Sequence, residues 1–416
     1  MAFRAHPDAV TDSQERAMTT VAEHRQTILA AVRRLDVVTL PLDDALGSTL
    51  ARSVHSAVDL PPFDNSAMDG FAVRFADVAA ASAASPILLR VVDDLPAGSA
   101  RQPVCRAGEA VRIMTGAPLP AGADTVVPFE STADGLADSL VVASVVKAPR
   151  GIGAHIRRRG EDGRTGTELV AQGAQLGPLQ LSAIAAANIP VVSVSRRPRV
   201  AVIATGDELV APGSAMRRGQ IPESNSLLLS MLAQGGGAEV VLRRSVGDVD
   251  DDLRRAIDDA AARGADAVIT SGGVSAGAFE VVRTALAQMT FVQVAMQPGR
   301  PQGFAAGDPL LFGLPGNPNS AAVSFEVFVR PALLAMQGRT QIERRMLRLP
   351  AAEGWRSPSN RRQYLPVVLV DGGVAPAATR GSQRAAKLAR AEGYAVVSAD
   401  ITEVMAGDIV DVMLFS

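Results

Sequence analysis

Between residues 197 and 330, apolar runs of strand length alternate with stretches of helical spacing, and that rhythm admits few folds. Residues 199–204 read RVAVIA, a run fit for burial on both faces, and 225–234 have helical spacing. Residues 239–243 read as a strand and 250–263 as a helix stopped by Gly264. Residues 267–270 and 310–313 are further strands, and 320–336 a further helix. Strand–loop–helix alternation forces right-handed crossovers, so the segment predicts an α/β unit: a parallel-type sheet with helices on both faces. Function in such sheets collects in the loops after the strand C-termini. Here those loops are TGDEL from Thr205, SGGVSAG from Ser271 and LPGNP from Leu314.

The flanking segments have other textures. Residues 14–35 carry Val21, Ile28, Leu29, Val32 and Leu35 on one apolar face of a helix. Residues 36–150 hold short β-prone runs, at 87–92 and 140–146, punctuated by Gly, Pro and Asp, with no obvious large core of their own. Residues 151–180 are rich in Arg and Gly, and strands return at 362–370, 394–397 and 408–414.

Several function classes are excluded. Acidic residues number 43 and basic residues 41, so a net charge of −2 gives no field for nucleic acid or an anionic membrane. A lone cysteine, Cys105, allows neither an intrachain disulfide nor a Cys-based zinc site, points to the reducing cytoplasm, and reads as a packing residue. No apolar signal segment opens the chain, and the most apolar stretch, 180–194, is interrupted by Asn188 and Pro190. The four histidines (His6, His24, His55, His155) lie outside the sheet loops, which leaves no Ser–His nucleophile. Neither a Walker A loop nor a dinucleotide fingerprint is present.

What remains is anion chemistry. Glycines in SGGVSAG let backbone amides approach a ligand, with Ser271 and Ser275 as hydroxyl donors. LPGNP opens a helix that Asn317 or Asn319 can cap. Asp207, Glu208, Asp248 and Glu280 lie nearby in sequence; carboxylates beside a phosphate site imply a bridging divalent cation, and Mg²⁺ suits one or two carboxylates plus substrate phosphates. Three clusters outside the sheet are less specific. LPPFDNSAMDGFAVR (60–74) fits an Asx-type turn packed by Phe63 and Met68 as readily as a site. RIMTGAPLPAGADTVVPFE (112–130) offers the Thr115 hydroxyl and a free amide at a tight turn. IRRRGED (156–162) sets Arg157, Arg158 and Arg159 beside Glu161 and Asp162, a pattern that suits either phosphate or a solvated salt-bridged surface.

Taken in order, PPFDNSAMDG, MTGAPLPAGAD, RRRGED, TGDEL, SGGVS and GLPGNP resemble the molybdopterin molybdenumtransferase family, the MoeA proteins and the E domain of gephyrin, over nearly the whole chain from about residue 20. The resemblance implies four parts: a helix-containing unit (14–55 with 151–180), a β-rich insertion (56–150), the molybdopterin-binding α/β domain (181–336) and a small C-terminal β domain (337–416). It also implies a homodimer whose cleft joins the α/β domain of one subunit to the insertion of the other. The implied reaction takes molybdate and adenylylated molybdopterin to molybdenum cofactor and AMP. Partners it suggests are the molybdopterin adenylyltransferase or cofactor-accepting enzymes.

By the same resemblance, Asp248 and Glu280 hold Mg²⁺. Asp64, Thr115, Asp162 and Glu208 position molybdate, water or adenylate. Ser271, Gly272, Gly273, Ser275, Pro315, Gly316, Asn317 and Pro318 anchor the pterin phosphate, while Arg300, Arg362 and Ser382 are placed to meet the oxyanion. The chain departs from the family pattern at Ala278-Phe279-Glu280, where an Asp is usual, and at Gln297-Pro298-Gly299-Arg300-Pro301, where two lysines are usual. Glu392 stands where an Asn is common. The missing charge at Gln297 predicts weaker oxyanion binding, and these departures raise two alternatives: a non-catalytic pterin carrier, or a transferase that uses tungstate.

Overall fold

The computed structural model describes residues 18–133, 135, 140–273, 282, 286, 288–377 and 388–415. Its centre is a six-stranded sheet in the order Glu239–Val246, Arg199–Thr205, Ala267–Ser271, Leu310–Leu314, Pro301–Ala305, Thr290–Gln293. The first four strands are parallel, as the alternation requires. The last two run antiparallel, an edge the sequence reading did not foresee, because Pro301 and Gly303 interrupt the apolar run. Side chains alternate between two cores: Val200, Val202 and Ile269 enter one, Ala201, Ile203 and Val268 the other. Helix Asn225–Gly235 packs on the first face and helix Asp250–Ala262 on the second.

The helix expected at 320–336 begins earlier, at Pro318, where proline needs no amide partner. It runs through a π-helical turn, Phe325–Val329, before Arg330–Met336. The π turn carries Glu326, whose side chain is only 3% exposed and whose carboxylate accepts from Arg344 through Nε at 3.0 Å and Nη2 at 3.1 Å. Arg344 also donates through Nη1 to the Phe415 carbonyl, tying the α/β unit to the C-terminal strand region. That region is a second sheet, built on Arg362–Val370, Gly393–Val397, Ile409–Leu414 and Met346–Pro350. Its edge accepts Met296–Gln297, which pairs in parallel with Arg362 and Gln363. Tyr364, Tyr394 and Met413 share the first core of the α/β unit.

The N-terminal helix spans Val21–Ala31, shorter than the 14–35 read from the apolar spacing; residues 14–17 lie outside the described residues. A capping box sets its start: Thr20 Oγ1 accepts from the Glu23 amide while the Glu23 carboxylate accepts from the Thr20 amide. After Ala31 the backbone becomes extended, so that the Leu35 amide reaches the Met336 carbonyl and Val32 and Leu35 still join the core. The apolar face is therefore longer than the helix that begins it. His24 lies on the buried face, its ring edge-on to Phe328 at 4.8 Å.

Burial pushes His24 down from 6.5 to about 4. The unfolded chain then binds the extra proton first, so stability is full above pH 6.5 and falls progressively toward pH 4, with no further loss from this group below that. The full span corresponds to about 3 kcal/mol. His24→Phe should flatten the thermal stability profile between pH 6.5 and 4.5. A variant with the wild-type slope would assign the acid lability elsewhere.

The β-rich insertion does have a core of its own, contrary to the sequence reading. Its five strands run in the order Thr125–Pro128, Gly70–Val73, Glu109–Ile113, Ile87–Leu95, Val142–Val145. Both faces are buried: Phe71, Val73, Leu89, Val127 and Phe129 pack on one, and Ala72, Leu95, Val111, Ile113 and Val126 on the other. Apolar residues scattered over short strands from distant parts of the insertion supply these layers, which hides them from a search for long apolar runs. Cys105 sits in the second layer, 2% exposed; burial pushes its thiol up to about 11, which suits packing rather than reactivity.

Candidate active site

The three strand-end loops of the α/β sheet converge. Gly206 and Glu208 of TGDEL, Ser271 to Gly273, and Pro315 to Pro318 line one cleft of about 560 Å³, with Asp248 on its wall. The geometry follows from the strands: Arg199–Thr205, Ala267–Ser271 and Leu310–Leu314 are adjacent and parallel, so their C-termini open on the same edge. Gly272 has φ +105° and lies against Thr205, where a Cβ would meet the Thr205 carbonyl oxygen at 2.5 Å. Asn317 caps the following helix, accepting from the amides of Asn319 at 3.1 Å and Ser320 at 3.3 Å.

Asn225, which the sequence reading placed on a helix but not in the site, closes the floor. Its Nδ2 donates to Ser271 Oγ at 2.8 Å and to the Gly316 carbonyl at 2.7 Å, locking the SGG loop to the PGN loop. The sequence signal for it is an Asn at the first turn of a helix beside the cleft, a position ordinarily read as capping.

Acidic groups gather at one end. The Asp248 amide donates to Asp207 Oδ1 at 2.9 Å. Burial raises the Asp248 carboxyl, and the Asp207 and Glu208 charges push it the same way against a hydrogen bond from the Asp207 amide. The helix after it is not capped by Asp248: Val249 holds the N-cap position and no side chain caps it. Among the described residues no cluster of three or more His, Cys, Asp and Glu is arranged to hold a metal ion by itself. Glu280, Ser275 and Ser382 lie outside the described residues.

A second cleft, of about 450 Å³, adjoins the first; both are lined by Asn317 and Ser320. Gln297, Pro298, Gln363 and Tyr364 form its far wall, between the α/β unit and the C-terminal sheet. Pairing of Met296–Gln297 with the strand that starts at Arg362 brings that arginine beside Gln297. The nearest guanidinium is a residue the sequence reading passed over: Arg361 Nη1 donates to Gln297 Oε1 at 2.8 Å. The neutral residue at 297 therefore has a cation at hand.

The motifs outside the α/β sheet build a separate cluster. Asn65–Ser66 pairs with Ile156–Arg157, which draws RRRGED onto the DNSAMDG loop. Asp64 accepts from Arg158 Nη1 at 2.6 Å and from the Arg159 amide at 2.8 Å, and that amide holds its carboxyl below the usual range. The amide of Thr115 is not free, as the sequence reading had it. Amide and hydroxyl both donate to Asp69, at 2.6 and 2.8 Å, and keep that carboxyl ionised to lower pH. Asp162 is exposed; its backbone amide donates to the Leu60 carbonyl. Among the described residues lining the two clefts, none comes from 60–162.

Comparison with known proteins agrees with this architecture. The MoeA N-terminal region (domain I and II) matches residues 19–188, the probable molybdopterin binding domain 201–335, and the MoeA C-terminal region (domain IV) 348–415. Molybdopterin molybdenumtransferase 2 of Mycobacterium tuberculosis is 41% identical, covering 94% of this chain and 98% of the relative. The molybdopterin molybdenumtransferase of Staphylococcus aureus strain Mu50 is 32% identical over 95% of both chains. The crystal structure of the molybdopterin biosynthesis MoeA protein from Pyrococcus horikoshii OT3 superposes with a TM-score of 0.82 at 25% identity, covering 96% of this chain and all of that one. With sequence motifs, domain order and fold in agreement over nearly its full length, the chain belongs to the molybdopterin molybdenumtransferase (MoeA) family.

Proposed function

We propose that the protein is a transferase of molybdenum cofactor biosynthesis: it takes molybdate and adenylylated molybdopterin, releases AMP and leaves molybdenum on the dithiolene. The observation that carries this reading is the convergence of three anion-suited loops on one acid-edged cleft that adjoins a second, cation-flanked one. The first cleft suits the phosphate and adenylate end of the substrate, and the second the oxyanion, with Arg300, Arg361 and Arg362 as its cations. The Asn225 clamp holds the two phosphate loops at fixed separation, so donors are oriented before the substrate arrives.

The donor set fits Mg²⁺. Asp248 is exposed at the cleft wall but sits among like charges, a repulsion a cation relieves, and substrate phosphates complete a shell the protein alone does not supply. Asp248, Glu208 and Glu280 would hold the ion, which neutralises charge developing on the phosphoanhydride. Asp248→Ala should lower Mg²⁺-dependent adenylate hydrolysis at least tenfold while leaving the melting temperature within about 1 °C, since no helix cap is lost. Unchanged turnover would make Asp248 a structural acid.

We further propose that a homodimer completes the site. The Asp64–Arg158 and Asp69–Thr115 cluster presents polar groups outside both clefts, and a second copy's cluster can supply what the α/β edge lacks. Sedimentation at micromolar concentration should give a dimer; a monomer with full activity sinks this arrangement.

Rescue of a strain that lacks its own molybdenumtransferase tests the function as a whole. Nitrate-dependent growth should return with the wild-type gene. Growth that fails while the purified protein still binds molybdopterin would favour the carrier reading. The Arg361–Gln297 contact weakens the motive for that alternative, because the charge missing at 297 is supplied by a neighbour.

A further inference from the structure

Sharing no lining residue with either cleft, a cavity of about 730 Å³ opens where three parts of the chain meet: Gly173 to Gln175, Arg330 just after the π-helical turn, and the strand residues Leu347 and Leu414. Its wall holds four arginines, Arg330, Arg339, Arg344 and Arg345. Guanidiniums rarely crowd in this way unless anions neutralise them, because each is costly to desolvate and each repels the next.

The carboxylates available are few. Glu326 is spent on Arg344, with Arg330 Nε farther away at 3.9 Å. Glu343, the acid on the cavity wall, forms its pair with Arg25 at 2.8 Å. Arg339 is held by neutral groups alone: Nε donates to Thr49 Oγ1, Nη1 to Gln175 Oε1 and Nη2 to the Gly47 carbonyl. Among the described residues Arg345 has no ion-pair partner and is exposed at the mouth. Burial lowers the Arg330 and Arg339 guanidiniums, and each is pushed further by a neighbouring arginine, Arg344 for the first and Arg330 for the second. Four cations thus face one buried carboxylate and one that is already paired. The neutral lining, Gln180, Thr340 and Gln341, adds hydrogen-bond donors suited to oxygen acceptors.

We infer that this junction is a second anion site, one that takes a phosphate group, free or as a phosphomonoester, on Arg330 and Arg345. Forked guanidiniums match phosphate oxygens bidentately, which a lysine pocket would not. Because the cavity joins residues from the N-terminal, α/β and C-terminal parts, an occupant would also brace their relative placement. The inference stands apart from the transferase reading, since it uses no residue of either cleft.

The test is calorimetric titration of the full-length protein with inorganic phosphate and, separately, with the phosphomonoester β-glycerophosphate, which carries no adenylate, in sulfate-free buffer at low ionic strength. Wild type should bind with millimolar or tighter affinity, and the tighter of the two probes identifies the source of the phosphate group. Arg330→Gln with Arg345→Gln should weaken binding at least tenfold. Arg345→Gln alone, at an exposed position where folding is not at stake, should weaken it about threefold or more. Gly272→Ala, which disturbs the sheet-edge cleft, should leave this binding unchanged. Phosphate heats that vanish in Gly272→Ala, or that survive undiminished in both arginine variants, would overturn the proposal, as would no saturable binding of either probe.

Discussion

Replacing Glu326 by Ala should destabilise the protein by about 3–5 kcal/mol, the usual cost of removing one partner from a buried ion pair. The carboxylate is 3% exposed and accepts two hydrogen bonds from Arg344. Without it, Arg344 keeps only the Phe415 carbonyl, and Arg330 loses its nearest negative charge. The buried charge left behind accounts for most of the cost, so Glu326→Leu combined with Arg344→Leu should recover much of it. Urea denaturation followed by signals from the α/β unit and from the C-terminal sheet gives the readout, and both signals should shift, since Arg344 joins the two. A loss below 1 kcal/mol in the single variant would show that water already screens the pair. A shift confined to the C-terminal signal would show that the π turn tolerates an empty socket.

Gly272→Ala should lower kcat/KM for adenylate hydrolysis about 100-fold, the scale on which small misplacements in a site act. The residue has φ +105°, and an added Cβ would lie 2.5 Å from the Thr205 carbonyl oxygen and 2.7 Å from Thr205 Oγ1. Both neighbours are fixed by the central strand, so the loop must move instead. That movement separates Ser271 from Asn225 and from the PGN loop. Gly213→Ala is the matching control: its φ is +87°, but nothing lies within 4 Å of the added atom. It carries the backbone penalty without the crowding and should keep activity within about twofold. Equal losses in the two variants would mean that general strain, rather than the position of the phosphate loop, sets the rate.

The parallel core and the strand-end loops were legible in the sequence because each depends on local pattern, apolar runs and glycines after strands, and of the two asparagines that could cap the next helix the structure uses Asn317. Asn225 and Arg361 were not, since their roles come from tertiary placement. Asn225 bridges two loops separated from it by 46 and 91 residues, and Arg361 reaches Gln297 across 64. Thr115 was read as a free donor because nothing local announces that Asp69 lies opposite it. The antiparallel edge went unread for a different reason: Pro301 and Gly303 are poor strand formers that the sheet tolerates near its margin. Placement of the two acid-bearing motif sets in separate clusters is likewise a property of the folded chain rather than of spacing.

The two-sided packing of the five-stranded insertion has a consequence for how the molecule breathes. A layer that seals both of its own faces can open without dismantling the α/β sheet. Its strands should then exchange amide protons with solvent as a cooperative block, at a free energy below that of the whole chain. Asp69, next to the strand Gly70–Val73, would ride on that block, whereas Asn225 and Ser271 sit at the edge of the α/β sheet. If a dimer brings the two clusters into one site, as proposed above, the insertion's side of it should open at a lower free energy than the α/β side.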